Sequence, residues 1–394
     1  MNQIVELPRT IAPICPFFYQ CGGCETQDVA YLDQVGYKER WLKQLFSDIA
    51  PESLWKTFLH SDNPYPTYFR NKIRFGLVRV GEHIYPSRHQ KGSETADIAV
   101  DACFLQAPET IEIVEAAALF AERYNWSLYD PKTGSGWLKH LLIRQGKRTG
   151  EIMVSLVTDN SPLQQKEEWI SGLRQFAGVT SLYQTLTWGR SNEQAEDVLL
   201  WGDPYIHETV GDFRYRISPQ AFFQTNSEMV ERLYTAIAET VSWKGSEVLW
   251  DLYAGSATIG IFLSPRVNQV LSIENNLQNI ADAEVNCQLN KINSVEIVAG
   301  EVEKVLTSQF LATHSMPEVI VVDPPRAGLS ERIKLLLPNI PKHELIYVSC
   351  NPLTCLRDCK QLIRSGYKLE SLQGIDMFPH TLHCELIVHL RRPY

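Results

Sequence analysis

VLWDLYAGSATIG, residues 248–260, reads as an apolar strand that runs into Asp251 and then into a turn carrying Gly255 and Gly260 ahead of a helix. Glycine lets the backbone turn tightly and approach a bound molecule closely. About twenty residues further on, the next apolar run ends in Ser272-Ile273-Glu274-Asn275. An acid at that second strand end can accept hydrogen bonds from ribose hydroxyls, as in nucleotide-type cofactor sites. The layout serves dinucleotides and S-adenosylmethionine alike. The turn reads Gly-Ser-Ala-Thr-Ile-Gly rather than Gly-x-Gly-x-x-Gly, which weakens the dinucleotide reading.

Outward from this stretch, from about Asn226, short apolar runs alternate with helical segments at 246–255, 269–275, 294–300, 318–325, 343–350 and 385–392. That alternation predicts an α/β fold with a doubly wound, mainly parallel, Rossmann-like sheet, whose ligands sit at the carboxyl ends of the strands. Upstream the pattern differs. Residues 28–46 place Leu32, Val35, Leu42 and Leu45 at helical spacing, and KIRFGLVRV (72–80), HLLIRQ (140–145) and EIMVSLVT (151–158) read as strands. They predict a mostly antiparallel β domain between about 64 and 209. The expected division is 1–63 for a cysteine cluster and helix, 64–225 for the central β-rich domain including Cys103, and 226–394 for the α/β domain.

With 44% hydrophobic residues the chain has the composition of a folded globular protein. Its opening lacks a basic segment followed by an apolar core, and no run approaches the roughly 18 apolar residues of a membrane span. A cytoplasmic location without membrane contact is expected, and no obligate protein partner is evident. A net charge of -9 argues against non-specific wrapping of nucleic acid. Locally the balance reverses: Lys38 to Lys91 holds ten Lys or Arg against five Asp or Glu, among Tyr65, Tyr68, Phe69 and Phe75. Cations that track a backbone and rings that stack on bases suit single-stranded RNA.

The remaining strand ends carry chemistry. At the third, Asp323-Pro324-Pro325 is followed by Arg326, where amino-group methyltransferases usually place an aromatic ring, so an exocyclic nitrogen target is disfavoured. The Pro-Cys pair of 5-methylcytosine RNA enzymes is also missing from this strand. At the fourth, Cys350 follows LIYVS and precedes Asn351-Pro352. A thiolate there answers a specific need. Uracil C5 is a poor nucleophile, but thiolate attack on C6 leaves an enolate that delivers electron density to C5. A base must then remove the C5 proton, and Glu385, beside the turn 376–384, is the candidate. Cys287, Cys355, Cys359 and Cys384 lack such a setting and are read as packing residues.

Asp251-Leu-Tyr-Ala-Gly, Asp323-Pro-Pro-Arg, Ser349-Cys350-Asn351-Pro352, Asp376-Met-Phe-Pro-His-Thr with Glu385, and the block Ser218 to Asn226 together resemble the RNA uracil-C5 methyltransferase family, in order, over the C-terminal half. The resemblance implies a class I S-adenosylmethionine-dependent fold, Cys350 as nucleophile and Glu385 as the C5 base. It implies S-adenosylmethionine contacts from Gln224, Tyr253, Thr258, Glu274, Glu301 and Asp323. The segment 68–72, Tyr-Phe-Arg-Asn-Lys, is similar to another family segment and is expected to help hold RNA.

Nine cysteines without an export signal point away from disulfides. Cys15, Cys21, Cys24 and Cys103 suit either zinc or a four-iron cluster, and spacing alone does not choose. A radical enzyme would want three and two intervening residues instead. The ribosomal branch of the family has a similar arrangement and carries a [4Fe-4S] cluster, which the bacterial transfer RNA branch lacks. The resemblance therefore implies an iron–sulfur cluster and 23S ribosomal RNA as partner. Transfer RNA is the alternative substrate, and a non-catalytic RNA-binding iron–sulfur protein is the second alternative. Many ribosomal members begin with a small RNA-binding barrel. With 14 residues before Cys15, that barrel is expected to be absent and RNA grip to fall to the central sheet.

Overall fold

Alternation builds the first sheet. In β1 (Lys72–Val80), Ile73, Phe75 and Leu77 turn inward while Arg74 faces out, the two-residue period of a strand covered on one face. The computed structural model describes residues 7–93, 97–188 and 195–393, so six residues of the expected N-terminal segment and the last residue of the chain lie outside it. β2 (His83–His89), β3 (Asp97–Ala99), β4 (Leu138–Gln145), β5 (Ile152–Thr158), β6 (Val179–Thr187) and β7 (Ala195–Gly202) join β1 in the order β3-β2-β1-β4-β5-β6-β7. Neighbours are antiparallel except β5 and β6. The helices Pro108–Arg123 and Lys166–Leu173 cover its apolar face with Ile113, Val114, Trp169 and Leu173.

A hairpin, β8 (Ile206–Val210) and β9 (Phe213–Ile217), leads into the second sheet. Here the strands run parallel, and all but the edge strand β12 are buried on both faces: β10 (Val248–Leu252), β11 (Gln269–Glu274), β12 (Val295–Ala299), β13 (Val319–Val322) and β14 (His343–Ser349). β15 (Lys368–Ile375) and β16 (Glu385–Arg392) follow, and the order is β12-β11-β10-β13-β14-β16-β15. β16 is antiparallel to β14 and β15. The last strand thus starts where the parallel strands end, which brings Glu385 to the edge that carries the other motifs. β15 escaped the sequence reading because Glu370, Ser371 and Gln373 interrupt its apolar pattern.

Core membership does not follow sequence order. The hairpin residues Ile206, Val210, Tyr215 and Ile217 share one core with Leu249, Val270 and Val321 of the parallel sheet. On the opposite face, Tyr31, Val35, Leu42, Phe46 and Phe58 pack with Trp250, Ile320 and Tyr347. Residues 55–59 also bridge β15 in parallel, at Trp55–Leu372 and Leu59–Ile375. The helix Tyr31–Leu45 corrects one expectation. Leu32 is 63% exposed, and the buried stripe is Tyr31, Gln34, Val35, Lys38 and Leu42. Two polar residues replace it because both find partners in the turn before β16. Lys38 Nζ lies 2.7 Å from Asp376 Oδ1, with side-chain exposures of 1% and 0%.

Lys38→Met leaves the Asp376 carboxylate buried and uncompensated, at a cost of about 3–5 kcal/mol. Urea unfolding is expected to show that loss, and the double variant Lys38→Met/Asp376→Leu to recover most of it.

Candidate active site

Each strand end contributes by a local device. After β10 the chain enters the left-handed region at Tyr253 (φ 62°), Gly255 (φ 57°) and Ala257 (φ 55°) before the helix Thr258–Leu263. Gly260 donates its N–H to Asp251 Oδ2 at 3.0 Å. A Cβ on Gly260 would lie 2.9 Å from that same oxygen and 2.9 Å from Ser272 Oγ, so the helix can approach the strand only with glycine here. Asp251 is fully buried, which pushes its carboxyl up to about 7 against the pull of the Gly260 N–H.

Glu274 closes β11. One of its oxygens accepts the Gly255 N–H at 2.8 Å and the other the Asn276 N–H at 2.8 Å. Tyr253 donates its hydroxyl to Glu303 Oε1 at 2.8 Å, and Thr258 Oγ1 lies 2.6 Å from Tyr234 Oη. Glu301 precedes the short helix Val302–Val305 and pairs with Lys304 at 2.7 Å. Gln224 is held by its backbone, whose carbonyl accepts the Asn71 side-chain amide at 2.8 Å. Asn71 and Phe69, both buried, are internal struts rather than a surface for RNA. Arg144 grips the same block through the carbonyls of Pro219 and Ala221.

All eight residues expected to contact cofactor or substrate line one cavity of about 750 Å³: Gln224, Tyr253, Thr258, Glu274, Glu301, Asp323, Cys350 and Glu385. The end that holds Asp323, Cys350 and Glu385 is acidic. Burial pushes Asp323 up to about 7. Burial and then the charge of Asp323 hold Glu385 well above the carboxylate range, with Arg326 pulling the other way. Cys350, half-buried, is raised by burial, then by Glu385 and Asp323, and is lowered by the charge and hydrogen bond of Arg326. Arg326 is the cation that favours a thiolate here.

Among the lining residues not singled out from the sequence are Tyr234, Phe378, Phe222, Asn279 and Glu303. Phe378 sits inside the quoted 376–381 motif, and Phe222, 57% exposed, inside the 218–226 block, so each had a signal. Asn279 and Glu303 lie on helices with no pattern to mark them. Asn279 accepts the Phe222 N–H at 3.1 Å and so shapes the wall.

A second pocket is lined by Cys15, Cys21, Cys24 and Cys103 together with Phe17, Phe18 and Gln27. Gln27 accepts the Cys15 N–H at 3.2 Å and donates to Cys24 Sγ at 3.3 Å. Burial, then Cys103, pushes the Cys24 thiol up to about 12. Cys287, Cys355, Cys359 and Cys384 are buried, in keeping with packing.

Comparison with known proteins decides the family. The family model described as tRNA (Uracil-5-)-methyltransferase matches residues 30–393. The chain belongs to that family. An RNA methyltransferase of Clostridium tetani, described as uncharacterized, is 32% identical over 98% of this chain and 84% of its own length. A counterpart from Halalkalibacterium halodurans is 33% identical over 99% of this chain and 85% of its own length. Among solved structures, the tRNA (uracil-54, C5)-methyltransferase of Pyrococcus abyssi, in complex with S-adenosyl-L-homocysteine, is similar with a TM-score of 0.74 and 27% identity, over 95% of this chain and 86% of that one. The protein is therefore an S-adenosylmethionine-dependent RNA uracil-5-methyltransferase, with an α/β methyltransferase fold and a separate antiparallel-rich region. Among the described residues no helix is long and apolar enough to cross a membrane.

The raised carboxyl of Asp251 has a consequence for stability. An acid that titrates near 7 when folded and near 4 when unfolded holds more protons in the folded state, so stability falls as pH rises from about 4 to about 7. Urea midpoints across that range are expected to show a smaller decline in Asp251→Asn than in the parent.

Proposed function

We propose that the protein methylates C5 of a uridine in 23S ribosomal RNA, with Cys350 as nucleophile and Glu385 as base. The observation that carries the chemistry is the meeting of these two side chains, with Asp323 and Arg326, in one cavity. The target base enters flipped from its stack. Cys350 Sγ attacks C6, and the displaced π electrons make C5 nucleophilic. S-adenosylmethionine supplies the methyl group and departs as S-adenosylhomocysteine. Glu385 takes the C5 proton, the C5–H electron pair forms the C5–C6 double bond, and Cys350 leaves as thiolate. Gln224, Tyr253, Thr258, Glu274, Glu301 and Asp323 hold the methyl donor.

The four-cysteine pocket supports the ribosomal substrate, because this cysteine arrangement resembles the ribosomal branch. The same resemblance is what supports a [4Fe-4S] cluster over zinc, and the four thiols line one pocket; among the described residues no group of three or more His, Cys, Asp or Glu side chains is gathered to hold a metal ion. Cys15, Cys21, Cys24 and Cys103 would hold the cluster, in a structural role, since methyl transfer needs no electron source. The second reading, a transfer RNA substrate, is favoured by the likeness to the archaeal tRNA enzyme. The site is expected to act in the cytoplasm.

Labelled S-adenosylmethionine, supplied with ribosomal or transfer RNA from cells lacking the gene, separates these readings by nucleoside analysis. Five-methyluridine in the large ribosomal RNA is expected, and label in transfer RNA alone would promote the second reading. Cys350→Ala should abolish turnover while cofactor binding persists. Glu385→Gln should accumulate a covalent RNA adduct, and normal turnover by that variant would remove Glu385 from the base role.

Iron and sulfide assays on anaerobically purified protein are expected to find both elements, and Cys24→Ser to lose both. Zinc without sulfide would overturn the cluster assignment.

A further inference from the structure

Glu385 opens β16 opposite Ile375 of β15, and the loop 376–384 between these strands also brings Phe378 to the cavity. This loop is secured from the other end of the sequence. Lys38 Nζ donates to Asp376 Oδ1 at 2.7 Å and to Phe378 O at 3.1 Å. Glu25 N–H and Thr26 N–H both donate to His380 O, at 2.8 and 3.1 Å, and the Glu25 carboxylate accepts the Leu382 N–H at 2.9 Å. Asn226 adds a bond to Met377 O at 3.2 Å.

His380 is the pivot. It is buried and sits at φ 66°, a left-handed conformation that a residue with a side chain adopts only when its surroundings impose it. Its ring Nε2 lies 2.8 Å from Pro66 O, which can only accept, so Nε2 carries the hydrogen and Nδ1 is left as an acceptor. Gln34 Nε2 lies 3.4 Å from that Nδ1. Gln34 Oε1 accepts the His380 backbone N–H at 3.0 Å and the Thr26 hydroxyl at 3.0 Å, while Nε2 also donates to Thr26 O and Val29 O at 2.8 Å each. One buried amide, its two hydrogens taken by Thr26 O and Val29 O, therefore fastens the backbone N–H of His380 to the segment that follows Cys24.

We propose that Gln34 is a positioning residue for removal of the C5 proton: by accepting the backbone N–H of His380 while its own amide is held by Thr26 O and Val29 O, it fixes the 376–384 loop and, through it, the place of Glu385 relative to Cys350. The inference rests on the assignment of Glu385 as base. Cys350 has anchors that do not run through the loop, although Ser349 before it pairs with Leu386 of β16. Cys350 follows β14, and the Asn351 side chain next to it caps the following helix and donates to Arg326 O at 2.9 Å. Tyr253 and Glu274 are held by their own strand ends. A shift of the loop therefore moves the base and leaves the nucleophile and most of the methyl-donor wall in place. Addition of Cys350 to C6 and transfer of the methyl group continue. Proton transfer to Glu385, which expels the thiolate, is the step that slows.

The test is single-turnover methylation by Gln34→Met of RNA that carries hydrogen or deuterium at the target C5, with denaturing gels to count covalent adduct. Loss of rate up to roughly 10²-fold is expected, the order that a misplacement of about 1 Å costs. It should come with a larger C5 deuterium isotope effect, accumulated adduct and an unchanged KM for S-adenosylmethionine. A slowed enzyme without adduct or isotope effect would overturn the inference, as would an unslowed one. Should Gln34→Met fail to fold, Glu25→Ala removes the half-buried acceptor of the Leu382 N–H and decides by the same readings. Adduct in Glu385→Gln but not in these variants removes the positioning role alone. Normal turnover in Glu385→Gln removes the base assignment, and the inference with it.

Discussion

A buried ion pair between Lys38 and Asp376 ties the first helix of the chain to the loop before its last strand. Neither charge reaches water, so their mutual attraction mainly offsets the cost of desolvating them, and a well-packed apolar pair would stabilise the fold at least as much. What such a pair supplies is a fixed register. An apolar contact tolerates sliding, whereas a 2.7 Å bond between two desolvated charges admits one arrangement. Beside the pair, residues 55–59 run along the edge of β15, and the 376–384 loop borders the cavity through Phe378.

The sheet then concentrates acids. Four of its strands run parallel into Asp251, Glu274, Asp323 and Cys350, and the reversed β16 begins at Glu385 on the same edge. Burial disfavours the charged forms of Asp251, Asp323 and Glu385, and the charge of Asp323 raises Asp251 and Glu385 further. Two backbone N–H groups complete the Glu274 carboxylate, which suits a binding group.

The strand-end motifs were legible because each is local: an apolar run, then a polar residue, then a turn. The parallel core was legible for the same reason, since strands covered on both faces are continuously apolar. β15 was hidden by its polar residues, and the antiparallel course of β16 leaves no local mark. The helix face was misread through Leu32, because periodicity counts apolar residues and cannot see that Gln34 and Lys38 have partners more than 300 residues away. Asn279 and Glu303 join the cavity wall by tertiary placement alone. The cysteines were countable in the sequence, but their common pocket depends on Cys103 folding back beside Cys24.

On the proposed assignment, the charges of the site also order its steps. Cys350, Asp323 and Glu385 each raise or are raised by another of the three, so the cavity disfavours several negative charges at once, and Arg326 is the one cation among its lining residues. A thiolate at Cys350 is therefore best tolerated while Glu385 holds its proton, and a cationic methyl donor further favours it. Addition to C6 turns the thiolate into a neutral thioether. The negative charge has then left the sulfur, and Glu385 can release its proton to solvent through the cavity at lower cost than before. Methyl transfer removes the remaining enolate charge, after which the ionised Glu385 faces a neutral adduct whose C5 proton it can take. Nucleophile and base thus share one allowance of negative charge and use it in succession, which explains why a base so deeply buried beside a thiolate is an asset to this reaction.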